Sequence, residues 1–462
     1  MSRRADSRRP AVDGPLLDGP ALVLGLGVTG RAVAAALVRR GHDVVLVDDE
    51  PGPEARAAAH DLDVELAEAP GPHRWAELIG RVAGVVPSPG VPSHHPVFAA
   101  ASAARVPVIG ELDLAAEWDD RPCVAITGTD GKTTVTTLVT SMLIASGVRA
   151  VDAGNTDVPL VAAIDDPGTE VFVVEASSFR LAPLRRFRPR VGTWLNFAPD
   201  HLDAHATLAD YEAAKAVLWA RLAGTDLAVA NADDTVVMGH AVWLTRLETF
   251  GLADVDGANG ADWHVADGAL RTPDGGPIVA VDELHRGLPH DLANALAAAA
   301  TATGAGATPE GVRTALRAFR GLPHRVTLVS DADGVRWYDD SKATAPHATM
   351  AALAGFESVV LIAGGLNKGL DLGVLAAMSP RIRAVVAIGA AAPEVAAAFA
   401  GHRPVRHADS MDDAVAAAGA LARPGDVVLL SPGCASFDWY RSYRERGDDF
   451  ARAVREQVGT EA

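Results

Sequence analysis

The chain has 462 residues, a net charge of −18 at pH 7 and 49% hydrophobic residues. This length corresponds to two to four domains of roughly 100–200 residues each. The negative charge argues against a nucleic-acid groove or an anionic membrane surface, since both need positive patches. No stretch reaches the ~18 apolar residues of a membrane span. From the charge and from this absence together, we expect neither a nucleic-acid partner nor membrane insertion. The two cysteines, Cys123 and Cys434, suit a reducing cytoplasm.

Short apolar runs alternate with alanine-rich helical patterns along most of the chain, which is typical of parallel α/β architecture. The predicted strands occupy residues 21–27, 44–48, 123–127, 171–175, 191–196, 358–363, 384–389 and 426–431. The predicted helices include residues 31–40, 132–146, 208–222, 309–320 and 411–422. A hairpin is predicted to turn at residues 331–334, and residues 240–290 are predicted to form short strands and loops.

These patterns predict three α/β domains after a basic, disordered tail at residues 1–18. The first domain, residues 19–111, opens with a strand–glycine–helix unit and is predicted to be Rossmann-like. The second, residues 112–321, is predicted to be a P-loop ATPase-like domain. The third, residues 322–462, is again predicted to be Rossmann-like.

A phosphate loop is predicted at residues 127–134, where Thr-Gly-Thr-Asp-Gly-Lys-Thr-Thr follows an apolar strand and precedes a helix. Glycines let backbone N–H groups close on phosphate oxygens, Lys132 offsets the charge of the β/γ phosphates, and Thr133 can hold Mg²⁺. Ile126 stands where a standard Walker loop has its first glycine. The alternative is a glycine-rich strand–helix turn, but the Gly-Lys-Thr-Thr ending favours the phosphate loop.

A second glycine motif, Gly-Leu-Gly-Val-Thr-Gly, lies at residues 25–30 after the first predicted strand. Asp48 ends the next strand, where an acid can accept hydrogen bonds from a ribose. Taken alone, this motif is also explained by tight strand–helix packing. Together with the phosphate loop it indicates two phosphate-bearing ligands: a nucleotide-like group on the first domain and ATP on the second.

Polar residues also follow two strands of the second domain. Glu175 ends the strand 171–175, a usual position for a magnesium ligand downstream of a phosphate loop. Residues 196–205 bring several polar groups, including His201, past the next strand. Lys215 lies on the predicted helix 208–222, where spacing alone favours a solvated lysine.

Three polar segments of the third domain, residues 339–344, 364–369 and 431–438, each end a predicted strand. Ligands of open α/β sheets bind outside the carboxyl ends of the strands, so we expect these segments to meet at one edge. Lys342 and Lys368 suit a small anionic substrate there, since a lysine is a point charge that attracts a carboxylate. The alternative is a set of surface loops with incidental lysines.

In these motifs the chain resembles the Mur ligases of peptidoglycan synthesis, from residue 21 to about residue 450. The loop Thr-Gly-Thr-x-Gly-Lys-Thr-Thr is also found in the related folylpolyglutamate synthetases. Ser-Pro-Gly at 88–90, Asp-Ser-Lys-Ala-Thr at 340–344 and Cys-Ala-Ser-Phe-Asp at 434–438 resemble the members that add D-glutamate.

The resemblance implies a cytoplasmic ATP-dependent ligase that couples D-glutamate to UDP-N-acetylmuramoyl-L-alanine through an acyl phosphate. Two Mg²⁺ ions and a monomeric chain are expected. Cell-wall synthesis, cell shape and cell division are the processes implied.

The resemblance also implies roles for individual residues. Those implied for the UDP-substrate are Gly27, Thr29, Asp48, Ser88, Gly90 and Asn155. Those implied for ATP are Gly128, Thr129, Asp130, Gly131, Lys132, Thr133, Thr134, Asn294, Arg325 and Asp340. Those implied for glutamate are Lys342, Thr344, Lys368, Ser436, Phe437 and Tyr443. The implied metal ligands are Thr133, Glu175, His201 and a carbamylated Lys215, and the implied catalytic residues are Lys132, His201 and Lys215.

Five residues depart from the family pattern. Asp130, Asp291 and Ala345 stand where asparagine is usual, Arg180 stands where glutamine is usual, and Gly433 stands where alanine is usual. None of these changes removes an implied metal ligand, so we expect an active enzyme. The alternatives are another Mur or folylpolyglutamate-type ligase, or a variant that adds L-glutamate. A nicotinamide-dependent dehydrogenase would use the motif at 25–30 but leaves residues 128–134 unexplained.

Overall fold

A computed structural model of the chain describes residues 14–201, 204–252 and 260–458. Within them the chain forms two compact units. The first contains residues 14–197, 204–252, 260–280 and 294–317, and the second contains residues 198–201, 281–293 and 318–458. Residues 1–13 of the predicted tail lie outside the described residues. Leu16 and Leu17 from the same predicted tail are buried in the apolar core of the first unit.

The N-terminal sheet has four parallel strands in the order β3-β2-β1-β4. Its elements are β1 (Ala21–Leu24), α1 (Val28–Arg39), β2 (Val44–Asp48), α2 (Pro53–Asp61), β3 (Glu65–Glu68), α3 (Pro72–Gly80), β4 (Gly84–Pro87) and α4 (Pro96–Ala104). Ala21 and Val23 pack in one apolar cluster, and Leu22 and Leu24 pack in another. Strand β1 is therefore buried on both faces, as parallel strands generally are.

The first unit also contains a parallel sheet of six strands in the order β10-β9-β8-β5-β7-β6. Its elements are α5 (Glu111–Trp118), β5 (Cys123–Thr127), α6 (Lys132–Ala145), β6 (Ala150–Gly154), α7 (Leu160–Ala163), β7 (Val171–Glu175), α8 (Ser178–Leu181), β8 (Val191–Trp194), α9 (Leu208–Ala216), β9 (Leu227–Asn231), α10 (Thr235–Ala241) and β10 (Leu247–Phe250). A 3-10 turn at Val217–Trp219 continues α9. The predicted strands at 123–127, 171–175 and 191–196 are confirmed.

A small antiparallel sheet, in the order β11-β12-β13, accounts for much of the irregular stretch predicted at residues 240–290. Its strands are β11 (His264–Ala266), β12 (Ala269–Arg271) and β13 (Pro277–Ala280), and a 3-10 turn follows at Val281–Glu283. Two helices come next along the chain, α11 (Pro289–Gly304) and α12 (Pro309–Ala318).

The C-terminal sheet has six strands in the order β14-β15-β19-β16-β17-β18. Its elements are β14 (Thr327–Ala332), β15 (Val335–Asp339), α13 (Pro346–Leu353), β16 (Val359–Gly364), a 3-10 segment (Leu372–Arg381), β17 (Ile382–Ile388), α14 (Ala392–Phe399), β18 (Val405–Ala408), α15 (Met411–Leu421), β19 (Val427–Leu430) and α16 (Tyr443–Val458). Strand β14 alone is antiparallel, because the two-residue turn Asp333-Gly334 folds it back on β15. Both turn residues have positive φ, as a tight hairpin requires. The predicted hairpin is confirmed.

The fold is thus α/β, with parallel sheets covered by helices. Among the described residues, no helix combines the length and apolar character needed to cross a bilayer.

Helix α12 approaches the end of α6 closely at Gly311. A Cβ atom at this position would stand 2.1 Å from Ser146 Oγ and 2.8 Å from Ser146 N. Ser146 is the C-cap of α6, and its hydroxyl donates to the Met142 carbonyl at 2.7 Å. Because backbone atoms take part in this contact, rotating one side chain cannot make room for a methyl group.

We therefore expect Gly311→Ala to lower the free energy of unfolding by about 1–3 kcal/mol, the usual cost of overpacking. Gly239→Ala is the matched control, because Gly239 also lies in a helix but has open space around its Cβ position. That change should raise stability by about 0.5–1 kcal/mol, the usual gain from replacing a helix glycine. Urea denaturation of both variants measures the difference, and equal stabilities would contradict the close approach.

Candidate active site

The predicted phosphate loop connects the central strand β5 to α6. Gly131 has a φ of 85°, and a Cβ there would stand 2.5 Å from Asn294 Oδ1. Glycine is therefore required at Gly131, and Asn294 lies against the loop. The Asn196 side chain holds the loop from the other direction, because its Oδ1 accepts from the backbone N–H groups of Thr129 and Asp130, at 2.9 Å each.

Two lysines converge on one carbonyl oxygen of this loop. Lys132 Nζ donates to Gly128 O at 3.0 Å and to Thr129 O at 2.8 Å. Lys215 Nζ donates to the same Gly128 O at 2.6 Å. The side chains of two predicted catalytic residues thus meet at the phosphate loop, and their neighbouring ammonium groups make this a place where an anion is stabilised.

The expectation of a solvated Lys215 is wrong, because only 1% of its surface is exposed. Its ammonium lies 4.5 Å from the centroid of the Tyr211 ring, and the Tyr211 hydroxyl lies 3.3 Å from Thr129 Oγ1. Tyr211 and Lys215 are four residues apart on α9, so both lie on its buried face. The helix therefore directs Lys215 into the protein.

Glu175 ends β7 and is 3% exposed. Its Oε1 accepts a hydrogen bond from Asn155 Nδ2 at 2.8 Å, whereas its Oε2 is buried and has no hydrogen-bond partner among the described residues. An unsatisfied buried carboxylate oxygen is costly, and a hard cation such as Mg²⁺ would satisfy it. Glu175 therefore fits the metal ligand implied for it. In the part of the chain that the structure describes, no three His, Cys, Asp or Glu residues cluster as a metal site.

All six residues implied for the UDP-substrate line one cavity of about 480 Å³ in the first unit. They are Gly27, Thr29, Asp48, Ser88, Gly90 and Asn155. Asp48 Oδ2 accepts from Leu26 N at 2.6 Å, so this carboxylate fixes the glycine loop. Asn155 also contacts Glu175, so it connects the cavity to the implied metal ligand.

Among the described residues that line this cavity, Arg180 is the only arginine or lysine. Its Nη1 donates to Glu111 Oε2 at 2.5 Å and its Nη2 donates to Thr29 Oγ1 at 2.9 Å. Both members of the ion pair are buried, with 5% and 2% of their side chains exposed. The departure at Arg180 therefore places a paired positive charge beside an implied substrate residue.

In the second unit, the three polar segments predicted to share an edge do so. They follow β15, β16 and β19, and β19 pairs with both of the others. Leu366 and Ala435 exchange backbone hydrogen bonds of 2.8 and 3.0 Å, and Gly433 N donates to Ala343 O at 3.0 Å. The loops that carry Lys342, Lys368 and Ser436 are therefore joined to one another, which confirms the predicted common edge.

The residues implied for glutamate differ in exposure. Ser436 is 2% exposed, whereas Phe437 is 68% exposed. The ammonium of Lys342 lies 4.1 Å from the centroid of the Tyr443 ring, a cation–π contact. Thr344 and Lys368 are partly buried on two of the joined loops. The arrangement offers cationic, hydroxyl and aromatic groups to a small anionic ligand.

Arg325 and Asp340, both implied for ATP, are neighbours in the second unit. Asp340 is 7% exposed and its Oδ2 accepts from Ser431 Oγ at 2.7 Å. Burial raises the pKa of the Asp340 carboxyl to about 8, and the positive charge of Arg325 opposes this shift. Asp291, another departure from the family pattern, also has a partner of opposite charge. The Arg286 guanidinium donates to both of its carboxylate oxygens, at 2.5 and 2.6 Å.

His201, implied as a metal ligand, has a φ of 56°, a conformation that is uncommon outside glycine. Asp200 contacts it twice: Oδ1 accepts from His201 N at 2.8 Å, and Oδ2 lies 3.5 Å from Nε2. Leu202 and Asp203, which follow it in the polar cluster, lie outside the described residues.

One sequence signal for these sites is the distribution of lysine. The chain has four lysines and 37 arginines. The four lysines are Lys132, Lys215, Lys342 and Lys368. Every lysine thus occupies a site position implied by the resemblance, whereas the other basic side chains are arginines. This pattern also indicates Lys215, which its spacing alone did not.

Three family models match the chain. They are the Mur ligase MurD-like N-terminal domain at residues 20–110, the Mur ligase middle domain at residues 126–302, and the Mur ligase glutamate ligase domain at residues 324–434.

The chain is similar over nearly its whole length to curated proteins named UDP-N-acetylmuramoylalanine–D-glutamate ligase. It is 46% identical to the protein of Frankia casuarinae over 95% of this chain and 94% of the relative. It is 39% identical to that of Thermobifida fusca, over 95% of this chain and 98% of the relative.

Two solved structures share the fold at low identity. A pseudomurein peptide ligase type C from Methanothermus fervidus has a TM-score of 0.60 at 17% identity, and covers 96% of this chain and 100% of its own. The UDP-N-acetylmuramate-alanine ligase MurC from Thermotoga maritima has a TM-score of 0.56 at 18% identity, and covers 95% of this chain and 99% of its own.

Proposed function

The chain belongs to the Mur ligase family, and we propose that it joins D-glutamate to UDP-N-acetylmuramoyl-L-alanine, with ATP converted to ADP and phosphate. As a Mur ligase it is an ATP-dependent, Mg²⁺-using, amide-forming ligase of peptidoglycan synthesis. The convergence of Lys132 and Lys215 on the phosphate loop is the observation that best supports the proposal. We further propose two Mg²⁺ ions, a monomeric chain in the cytoplasm, and domains at residues 19–111, 112–321 and 322–462.

The reaction proposed has two steps. The alanine carboxylate of the UDP-substrate attacks the γ-phosphorus of ATP, the bond to the β-phosphate oxygen breaks, and an acyl phosphate and ADP form. The amine of glutamate then attacks the acyl carbon, and phosphate leaves as the amide forms. The ammonium group of glutamate must lose one proton before this attack and a second as the amide forms, and His201 is the candidate base.

The residues of this chain contribute mainly position and charge. Lys132 would offset the negative charge of the transferring phosphoryl group, the main requirement of phosphoryl transfer. Glu175, with Thr133, would hold Mg²⁺, which supplies Lewis-acid stabilisation of the phosphate oxygens when bound. Asn155 would orient both the UDP-substrate and the Glu175 carboxylate, because it contacts the carboxylate and lines the cavity.

The alternatives differ in the substrates that they need. A folylpolyglutamate-type ligase would not use a UDP-sugar, and an L-glutamate-adding variant would prefer the other stereoisomer. A dehydrogenase would use a nicotinamide cofactor and release no phosphate.

We expect phosphate release only when UDP-N-acetylmuramoyl-L-alanine, ATP and D-glutamate are all present, with L-glutamate a poor substitute. Lys132→Ala should abolish this release, because a lost transition-state charge contact typically costs about 10²–10³ in rate. Arg149→Ala, which removes an exposed charge of the same unit, is the control and should keep full activity. Release without the UDP-substrate, or an active Lys132→Ala enzyme, would refute the proposed reaction.

The placement of glutamate is tested by Lys368→Ala. Losing one charge-assisted hydrogen bond should raise the KM for D-glutamate about tenfold to a hundredfold. The KM values for ATP and the UDP-substrate should stay within about twofold, because a contact to one substrate contributes to its binding alone. Arg406→Ala, an exposed charge in the same unit, should change none of the three. A uniform rise in all three KM values for Lys368→Ala would mean that glutamate binds elsewhere.

We also propose that Lys215 is carbamylated. Its ammonium is buried and shares Gly128 O with Lys132, so two like charges are held close together. Attack of the neutral amine on CO₂ forms an N–C bond and releases a proton, which leaves a carbamate. The modification turns a positive group into a negative one, with oxygen atoms of the kind that Mg²⁺ prefers.

We therefore expect ¹³C-labelled bicarbonate to give one carbamate resonance that Lys215→Arg removes and Lys342→Arg leaves in place. Four lysines make this assignment simple. Activity should fall in CO₂-depleted buffer, and Lys215→Glu should recover part of the activity that Lys215→Ala loses. A spectrum without a carbamate resonance, together with full activity in the absence of CO₂, would rule out the modification.

A further inference from the structure

Arg446 is an arginine of α16 that is only 1% exposed. Its Nε donates to Ser341 Oγ at 2.9 Å and its Nη2 donates to Ser341 O at 2.8 Å. Its Nη1 donates to Cys434 O at 3.1 Å and to Ala435 O at 3.2 Å. One guanidinium group therefore connects the loop after β15 to the loop after β19.

Two of the three residues that Arg446 holds are chain neighbours of residues implied for glutamate. Ser341 precedes Lys342, and Ala435 precedes Ser436. Arg446 itself lies one helical turn after Tyr443, at the start of α16. The planar guanidinium fits this task, because its donors point in fixed directions to several acceptors at once.

Ser341 extends the connection to Tyr443. Its hydroxyl accepts from Arg446 Nε and donates to Tyr443 O at 2.8 Å. The Tyr443 ring in turn lies 4.1 Å from the Lys342 ammonium. Arg446, Ser341, Tyr443 and Lys342 are thus linked by contacts, in which the arginine connects the lysine-bearing loop to the backbone of Tyr443.

This arginine is costly to bury. Its four hydrogen bonds end on neutral oxygens, and desolvation lowers the pKa of the guanidinium to about 10. Its charge is therefore compensated at longer range than a direct ion pair would allow, by the carboxylates of Asp438 and Asp339. Its positive potential also acts over a longer distance in the protein interior than it would in water. Both properties suit a site for a dicarboxylate amino acid.

We propose that Arg446 is a positioning residue for the amino-acid substrate. It holds Lys342, Ser436 and Tyr443 in the arrangement that receives glutamate, and its buried charge favours the anionic ligand. The inference rests on the proposed placement of glutamate at these loops.

The test compares Arg446→Lys with Ser341→Ala, and with Arg452→Lys as the matched control on the same helix. Lysine keeps the charge of Arg446 but lacks the separate, fixed nitrogens with which Arg446 reaches the two loops. Alanine at position 341 removes the hydroxyl that connects Arg446 to Tyr443. Arg452 forms exposed ion pairs with Asp412, Asp449 and Glu456, so its change should have no effect.

For Arg446→Lys we expect the KM for D-glutamate to rise about tenfold or more, since small misplacements of positioning groups have effects of this size. Ser341→Ala should raise it less. The double variant should fall short of the product of the two effects, because the residues act through one set of contacts. The KM values for ATP and the UDP-substrate should not change.

A second readout separates positioning from general damage. Hydroxylamine attacks an acyl phosphate, forms a hydroxamate and releases phosphate, so it reports the first step without glutamate. Arg446→Lys should give hydroxamate at the wild-type rate. Loss of hydroxamate, or equal increases in all three KM values, would reduce Arg446 to a structural residue and overturn the inference.

The Lys368→Ala result distinguishes the two proposals. If Lys368→Ala raises the KM for D-glutamate while Arg446→Lys and Ser341→Ala leave it unchanged, the placement of glutamate stands and the role of Arg446 is refuted. If none of the three variants changes that KM, the placement itself is wrong. If Arg446→Lys does not fold, Ser341→Ala alone decides.

Discussion

The carbonyl oxygen of Gly128 accepts hydrogen bonds from both Lys132 and Lys215, and the chemistry proposed for the first unit depends on this double contact. Two ammonium groups on one acceptor repel each other, so negative charge nearby stabilises the arrangement. The phosphates of a nucleotide are one source of that charge, and a carbamate on Lys215 is another. Either one would offset the repulsion between the two ammonium groups.

The surrounding fold fixes the position of that loop. Strand β5 lies between β7 and β8, so the loop starts from a strand that is paired on both sides. The adjacent strand ends supply Glu175 and Asn196, one oriented by Asn155 and the other bonded to the loop itself. A parallel sheet places all of these carboxyl ends at one edge, which is why residues far apart in the sequence meet there.

Strand and helix positions could be predicted because each apolar run is short and bounded by glycine or polar residues. The order of the strands could not, since nothing in a single apolar run states which neighbour it pairs with. Lys215 shows the same limit, because spacing indicated a solvated side chain and the packing of α9 buries it beside Tyr211. Arg446 gave no signal at all, since an arginine on a helix rich in charged residues resembles any surface arginine.

The lysine distribution is a sequence signal of a different kind, because it depends on chemistry and not on periodicity. Arginine stays charged and binds in a planar fork, whereas lysine can lose its proton and react. A chain that uses arginine at 37 positions and lysine at four would keep lysine where a compact or reactive amine is needed. The proposed carbamylation requires the side chain at Lys215 to become neutral, which arginine cannot do.

Two departures from the family pattern follow one physical rule. A new buried charge is tolerated when a partner of opposite charge and matching geometry accompanies it. Arg180 meets Glu111, whose other oxygen accepts from Val161 N at 3.0 Å, so the carboxylate is fixed before it binds the arginine. Asp291, which is partly buried, likewise meets two of the three donor nitrogens of Arg286. The two charges of each pair neutralise each other, so the chain can carry these substitutions without losing the loop, the Glu175 carboxylate or the cavity of the first unit.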